Sequence, residues 1–415
     1  MRRRMLPFYA ATLFAVTLAG LMLIFPSEAL RASLKGVSIW WDVLFPALFP
    51  FFVISEMMLG VGIVHFFGTL LDPLMRPLFR VPGIGGFVMA MGFASGYPIG
   101  ARLTAQLWEQ RLVNREEGER LVAFTTSSDP IFLIGAVAVG FFHDAALAGV
   151  LAAAHYGSAV LIGLLMRFHG KPGAGNNAQP VPAGSSGPIS GRGLWQRAFD
   201  AMHEARMKDG RPLGVMLQKA LGSGLQLMFV VGGLVVFFSV VMEVMSSAHI
   251  MNLLYAGAES ILRLFALPAP LAEAVVGGFF EVTIGSKAAG GAAGIPEIYK
   301  AAIAAWVLSW GGLSVHAQIV SLLHQTDLRY APFAAARLLH GVLAALLVLL
   351  LWEPLSPALS VWSVLPEPEV TRPVSTLLRH TLPAAGTLFA AMLGVLLLLS
   401  FLLSFGKRGM NPRSR

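Results

Sequence analysis

Two short polar segments interrupt long apolar stretches of this 415-residue chain, and each contains residues suited to binding a ligand. The first reads SGYPIGAR at 95–102, and the second reads EVTIGSK at 281–287. A helix that begins just after such a break presents unpaired backbone N–H groups and the positive end of its dipole. We therefore predict an anion site formed by both segments with the matching cations Arg102 and Lys287. The pattern leaves open that each cation instead extends toward a membrane interface.

A run of hydroxyl side chains before an aspartate and a proline forms another interruption, FTTSSDP at 124–130. Proline removes a backbone hydrogen bond and an ionised aspartate is costly in hydrocarbon, so this run should line a polar cavity. Its counterpart in the second half of the chain, SWGGLSVH at 309–316, contains a Gly-Gly break. Some of these hydroxyl groups could instead bond back to carbonyls of their own helix.

From these segments we predict one substrate-binding set, with no catalytic and no metal-ligating members. The set consists of Ser95, Gly96, Tyr97, Pro98, Gly100, Arg102, Thr126, Ser127, Ser128, Asp129, Glu281, Thr283, Gly285, Ser286, Lys287 and Ser314. The sequence contains no metalloprotease motif, phosphate-binding loop or nucleophile elbow, so it does not favour an enzyme and implies no cofactor. Cysteine is absent, which excludes thiolate chemistry. The roles of Glu56, Glu243, His155 and His340 stay open.

The composition decides which class of protein must hold this set. Of all residues 56% are hydrophobic and 13% are charged, and the mean hydropathy is +0.71. These values exclude a soluble globular protein and indicate a polytopic α-helical membrane protein, because about 20 apolar residues suffice for one crossing. The first of the predicted crossings is expected to be an uncleaved span rather than a signal peptide. Eight crossings are predicted, at 1–26, 37–64, 121–142, 145–168, 220–243, 303–323, 333–352 and 383–405.

Two further apolar segments, 83–112 and 270–300, are cut near their middle by the small and polar residues described above. Backbone groups freed by glycine and proline are tolerated at membrane depth only inside protein or beside a watery cavity. We therefore interpret both segments as re-entrant helical hairpins. The predicted fold is all-α, with about eight transmembrane helices and two hairpins.

An internal repeat relates the two halves of the chain at a shift of about 185 residues. IGAR at 99–102 falls on IGSK at 284–287, and His155 falls on His340. Each repeat, 28–168 and 213–353, contains three crossings and one hairpin. Because three is odd, the repeats should have inverted topology, which places a binding site at mid-membrane between them.

Segments outside the repeats predict the orientation. The N-terminal crossing occupies 1–27, a flexible basic linker with a short amphipathic helix at 194–208 occupies 169–212, a loop occupies 354–382, and a last crossing with a basic tail occupies 383–415. The net charge is +8, and most of the 30 Lys and Arg residues fall on one side of the membrane when the N-terminus is placed inside. By the positive-inside rule both termini and the linker are cytoplasmic and the loop is extracytoplasmic.

Several runs resemble a known family. FPALFPFFVISEMMLG, VPGIGGFVMAMGFASGYPIGARLTAQL, EGERLVAFTTSSDPIFLIGAVAVGFF and AAHYGSAVLIGLLMR closely resemble the YlbJ family of sporulation integral membrane proteins of endospore-forming bacteria. The resemblance continues through FEVTIGSKAAGG to HGVLAALLVLLLW. That family belongs to the nucleoside-recognition, or Gate, group, whose hairpins and broken helices are similar to those of concentrative nucleoside transporters.

The resemblance implies a stage V sporulation transporter that moves dipicolinic acid from the mother cell across the outer forespore membrane. Its partners would be a small organic anion and the lipid bilayer, without nucleic acid, and a homo-oligomer is left open. Two alternatives remain: a non-transporting membrane scaffold for spore cortex or coat assembly, and a transporter of nucleoside-like solutes. The coupling ion and the direction of net flux are not predicted.

Overall fold

A computed structural model describes residues 2–170 and 193–362, and every regular element within these ranges is helical. The all-α prediction is therefore confirmed for this part of the chain. The predicted crossing at 383–405 and most of the predicted loop at 354–382 lie outside the described residues. So does the part of the linker between 171 and 192.

The first half of the described chain contains eight α-helices and two π-helical segments. The π-helical segments are Ile39–Leu44 and Ile131–Phe141. The α-helices are α1 (Arg2–Ile24), α2 (Pro26–Ser38), α3 (Phe45–Val61), α4 (Ile63–Phe79), α5 (Ile84–Ser95), α6 (Tyr97–Glu109), α7 (Arg115–Thr125) and α8 (Leu147–Met166).

The second half begins with a helix in the linker and then repeats the order of the first half. Its α-helices are α9 (Leu194–Asp209), α10 (Leu213–Ser247), α11 (Ile250–Leu264), α12 (Ala272–Phe280), α13 (Val282–Gly291), α14 (Glu297–Trp310), α15 (Gly312–Leu323) and α16 (Tyr330–Trp362). Helix α9 coincides with the short amphipathic helix expected at 194–208, and α16 continues past the expected end of its crossing at 352.

The order of elements from α3 to α8 recurs from α10 to α16. In each half an amphipathic helix comes first, and a pair of helices joined at one residue follows it. A broken helix and then a long helix complete the half. Gly96 joins α5 to α6, and Glu281 joins α12 to α13. The broken helices are α7 with Ile131–Phe141 and α14 with α15. Two interrupted sequence segments thus form the two helical hairpins.

Four stretches of the described chain are long and apolar enough to cross a membrane: Leu147–Met166, Leu213–Ser247, Glu297–Leu323 and Tyr330–Leu355. Two bent pairs raise this number to six when each pair is taken as one span. Thr12–Ile24 meets Pro26–Asp42 at 104°, and Phe52–Val61 meets Ile63–Phe79 at 81°. The finer count of eight crossings therefore stays a prediction, and so does the inverted topology.

The interior joins the two halves. Helix α8 packs against α16, and α14 packs against both α8 and α16. Helix α10 packs against α2 and α3, where the Trp40 indole N–H donates a hydrogen bond to the carbonyl of Met228 at 2.9 Å. The linker helix α9 packs on α4 through Phe66 and Phe199, whose ring centroids are 5.0 Å apart. The linker helix is therefore part of the folded body.

A buried carboxylate also ties one half to the other. Glu119 of α7 accepts hydrogen bonds from the guanidinium of Arg329, just before α16, with two N···O distances of 2.8 Å. The backbone N–H of Arg329 donates to the same carboxylate at 3.0 Å, and His169 lies 2.6 Å away. Burial alone raises the pKa of a carboxyl group, but the hydrogen bonds from Arg329 and His169 outweigh burial and hold the pKa of Glu119 at about 2.

This ion pair makes the stability of the protein sensitive to acid. Because the folded-state pKa of Glu119 is depressed from 4.5, its contribution is present above the unfolded value and is lost as the pH falls toward 2. We expect the melting temperature of the purified protein to drop more between about pH 5 and about pH 3 than that of Glu119→Gln. The exposed Glu109 provides the control, since Glu109→Gln should follow the wild type. Parallel pH profiles for wild type and Glu119→Gln would contradict the prediction.

Candidate functional site

The two hairpin tips border one cavity of about 980 Å³. Gly96, Tyr97 and Pro98 line it from the first tip, and 281–284 line it from the second. Asp129 from the first broken helix and Ser314 from the second add polar groups to the wall. A volume of this size accommodates a small organic molecule.

At the first tip, Gly96 is in a conformation that only glycine adopts without strain, with φ 89° and ψ −179°. A Cβ on Gly96 would lie 3.0 Å from Oδ2 of Asp129, so the carboxylate is packed against the tip. Asp129 also accepts a hydrogen bond from the backbone N–H of Phe132 at 2.8 Å and so caps the π-helical segment. The unwound residues of the first broken helix thus bring a buried carboxylate to the hairpin.

At the second tip, the carboxylate belongs to the hairpin itself. Glu281 caps α13 by accepting from the backbone N–H of Ile284 at 2.9 Å and from the hydroxyl of Thr283 at 3.2 Å. The backbone of Glu281 lies so near the second break that a Cβ on Gly312 would be 3.0 Å from its Cα. The N-terminus of α13, which the sequence offers to a substrate anion, is therefore already occupied by a carboxylate.

Each half thus places a buried carboxylate at its hairpin tip, but the carboxylate comes from a different element in each half. In the first half the tip is glycine and the acid comes from the broken helix. In the second half the tip is the acid and the broken helix supplies glycine. Gly96 has no side chain that could cap α6, so the first turn of α6 presents its positive dipole end beside the Asp129 carboxylate.

Charges of both signs line the cavity. Lys35, Lys287 and Glu273 are exposed, whereas Asp129 and Glu281 are 8% and 5% exposed. The exposed cations are therefore placed where they could attract an anion from water, whereas both tips carry a buried acid.

The structure brings half of the predicted set to this cavity. The lining members are Gly96, Tyr97, Pro98, Asp129, Glu281, Thr283, Lys287 and Ser314. Gly100 and Gly285 serve helix packing: a Cβ on Gly100 would lie 2.6 Å from the carbonyl oxygen of Thr125, and one on Gly285 would overlap Gly278. The other members, except Arg102, are buried serines and a threonine outside the lining: Ser95, Thr126, Ser127, Ser128 and Ser286.

Arg102 does not share the cavity with Lys287. It lies in a separate depression of about 140 Å³ with Glu56 and Arg211, beside a hydrogen bond of 2.9 Å from the Gln106 amide to Glu56. Helix α6 is enclosed by α5, α7 and α15, so only its first turn reaches the cavity. The expected convergence of the two cations is therefore not found in this conformation.

The hydroxyl run divides between two roles. Thr125 and Thr126 donate to the carbonyls of Leu121 and Val122 at 2.7 and 2.8 Å, as expected for hydroxyl groups that bond back to their own helix. The Ser127 hydroxyl instead contacts Nε2 of His155 at 2.8 Å. The second half of the run thus leads into a buried polar network.

That network joins the two histidines matched by the internal repeat. The rings of His155 and His340, 185 residues apart, stack with their centroids 5.2 Å from each other. Nε2 of His155 accepts from the backbone N–H of Ser128 at 3.0 Å, so the ring hydrogen is on Nδ1, which lies 2.8 Å from the hydroxyl oxygen of Ser309. Nε2 of His340 donates to the carbonyl of His155 at 3.0 Å. The imidazoles therefore bridge the repeats as neutral groups.

Arg337 completes the network and is absent from the predicted set. Its Nη1 donates to Nδ1 of His340 at 2.8 Å and to the carbonyl of Thr126, and the residue is 0% exposed. The signal was present in the sequence, because Arg337 lies inside the predicted crossing at 333–352, and an ionisable residue within a span marks a functional site by default.

A family model described as nucleoside recognition, named Gate, matches residues 42–142. The sporulation integral membrane protein YlbJ of Bacillus subtilis (strain 168) is 43% identical over 345 residues, which cover 83% of each chain. The chain belongs to the YlbJ family. No solved structure matches it.

Membership of the YlbJ family places the chain among integral membrane proteins of sporulation. The Gate region extends from the segment before α3 to the end of the first broken helix. It therefore contains the first hairpin tip and Asp129, which form one side of the cavity. The other side comes from the second repeat, which presents the same order of elements.

Proposed function

We propose that this protein is a sporulation membrane transporter for a small organic anion, and that dipicolinic acid is its substrate. The observation that carries the proposal is the single cavity between two hairpin tips and two broken helices. A scaffold for cortex or coat assembly has no need of such a polar interior. Transport leaves the solute chemically unchanged, so the proposal requires no catalytic group and no cofactor.

Dipicolinate matches the chemistry of this cavity. It is a small planar dianion near neutral pH, and an anion that leaves water must replace its hydration with hydrogen-bond donors and cations. The first turn of α6, Lys35 and Lys287 supply these at the cavity wall. We place the linker and both termini in the cytoplasm, with the substrate moving from the mother cell across the outer forespore membrane.

A nucleoside-like solute is the second candidate. The Gate model that matches 42–142 is described as nucleoside recognition, and the buried carboxylates of Asp129 and Glu281 are acceptors suited to sugar hydroxyl groups. Such a ligand is neutral, so it gives no reason for the two lysines in the wall.

Flux through the purified protein in liposomes separates the candidates. We expect saturable uptake of labelled dipicolinate that unlabelled dipicolinate blocks and uridine or adenosine does not. Lys287→Met should weaken the apparent affinity by up to about fivefold, as for an exposed charge pair, while Lys208→Met on the linker helix should not. Nucleoside uptake without dipicolinate uptake would favour the second candidate. Zero flux of either solute under any gradient would contradict a transporter and favour the scaffold.

A further inference from the structure

We propose that Arg337 binds a carboxylate of the transported anion through its Nε and Nη2 atoms, behind the cavity wall. The choice of ligand class rests on the proposed function. The site itself rests on the placement of the guanidinium. Arg337 lies outside the hairpin and broken-helix segments from which the binding set was predicted.

The guanidinium is held by hydrogen bonds through one nitrogen only. Nη1 is held by the carbonyl of Thr126 and by Nδ1 of His340, whereas Nε and Nη2 are buried without a hydrogen-bond partner among the described residues. A buried donor without a partner destabilises the protein, and does so more when the group is charged. The arrangement is therefore unfavourable unless something else accepts these hydrogens.

The geometry of Nε and Nη2 selects the ligand. Nε–H and Nη2–H lie on the same edge of the planar guanidinium, and two carboxylate oxygens accept them in parallel. The neighbouring imidazoles of His155 and His340 are neutral, so they do not balance the charge of Arg337. A carboxylate from outside the chain would supply both acceptors and the missing negative charge.

A second buried arginine shows what a purely structural one looks like. Arg120 is 6% exposed, and its Nε and Nη2 donate to the carbonyl of His169 at 3.0 and 2.6 Å. Its Nη1 donates to the carbonyl of Arg80 at 2.6 Å. Every nitrogen of Arg120 has a partner within the chain, whereas Arg337 keeps its carboxylate-binding edge.

The position of Arg337 connects it to the transport path. Thr126, whose carbonyl accepts a hydrogen bond from Arg337, begins the unwound segment 126–129 that carries Asp129 into the cavity wall. Among the described residues, the buried hydroxyl groups of Ser128, beside Asp129, and of Ser95, beside Gly96, also have no hydrogen-bond partner. They supply further donors at the contact between the first tip and the unwound segment. A movement of either element that opens this contact would join Arg337 to the cavity and leave the anion enclosed there.

Equilibrium binding to the purified full-length protein tests the assignment. The probes are dipicolinate, isophthalate and benzoate, with isophthalamide as the neutral analogue and chloride as the inorganic anion. Arg337→Lys keeps the charge but loses the parallel pair of donors, so we expect it to weaken carboxylate binding about ten- to a hundredfold. Arg120→Lys is the matched control, which should lower the melting temperature and leave the carboxylate affinity within about twofold.

A second variant tests the proposal even if Arg337→Lys does not fold. Lys35 and Lys287 are exposed, so the double variant Lys35→Met/Lys287→Met should fold and bind all anions more weakly. We expect it still to prefer isophthalate over isophthalamide by at least about tenfold, because Arg337 remains. Loss of this preference would assign the charge recognition to the lysines and overturn the proposal.

The remaining outcomes separate this site from the proposed function. Carboxylate binding that depends on Arg337 without any flux of dipicolinate would support the site and contradict the transport proposal. Dipicolinate flux together with an unchanged carboxylate affinity in a folded Arg337→Lys protein would support the transport proposal and contradict the site. Chloride that competes with isophthalate at equal concentration would overturn the assignment of a carboxylate.

Discussion

Replacement of His155 by leucine is expected to abolish the packing between the two halves of the protein. The imidazole forms hydrogen bonds with the Ser127 hydroxyl, the Ser128 backbone N–H and the Ser309 hydroxyl, and all three residues are buried. Leucine would leave these three groups without their partner, and each buried unsatisfied group costs about 1 to 3 kcal/mol. A loss above about 3 kcal/mol is a large part of the stability of a typical protein.

The level of His155→Leu in the membrane and its melting temperature in detergent measure this loss. We expect little folded protein, and partial recovery with His155→Gln, whose amide can both donate and accept. The exposed His203 of α9 is the control, since His203→Leu breaks no buried network. A His155→Leu protein that accumulates and melts like the wild type would show that the network is not what holds the repeats together.

The second large effect is expected from the glycine contact inside the second hairpin. Helices α12 and α13 approach so closely that a Cβ on Gly285 would overlap the Cα and N atoms of Gly278. Backbone atoms cannot move aside as a flexible side chain can, so Gly285→Ala must push the two helices apart. Overpacking of this kind costs typically about 1 to 3 kcal/mol, and it would also displace the Glu281 tip from the cavity.

Gly291 of the same helix is a matched control, because a Cβ there would meet no atom within 4 Å. We expect Gly285→Ala to lower the melting temperature clearly and Gly291→Ala to leave it unchanged or raise it slightly. Equal melting temperatures for the two variants would mean that the hairpin is looser than this packing requires.

Much of the architecture could be predicted from the sequence because it depends on local chemistry. Clusters of glycine, proline and polar residues inside apolar stretches favour a helix break at membrane depth, and the breaks at Gly96, 126–129, Glu281 and Gly311 lie in such clusters. The same applies to Asp129, since a carboxylate is costly in hydrocarbon and has to lie at a polar surface. The shift of about 185 residues, read from residue types alone, pairs His155 with His340, and their rings are in contact.

Only the tertiary structure decided which of the two candidate cations lines the cavity. Arg102 and Lys287 have the same sequence position relative to their tips, yet α6 is buried along most of its length, whereas α13 leaves Lys287 exposed at the cavity. Whether a charge faces a cavity, a neighbouring helix or the surface depends on which elements pack around it. The spacing along one helix does not contain that information.

By itself, the sequence determined the helical class, the places where helices break and the pairing of the two halves, because each follows from the residues at that point. Only the packing of both halves decided that Arg337 keeps two buried nitrogens without a hydrogen-bond partner among the described residues. That property depends on a long-range contact, since Arg337 is held by the carbonyl of Thr126, 211 residues away. Long-range contacts, and not residue type, select which polar groups remain available to a ligand.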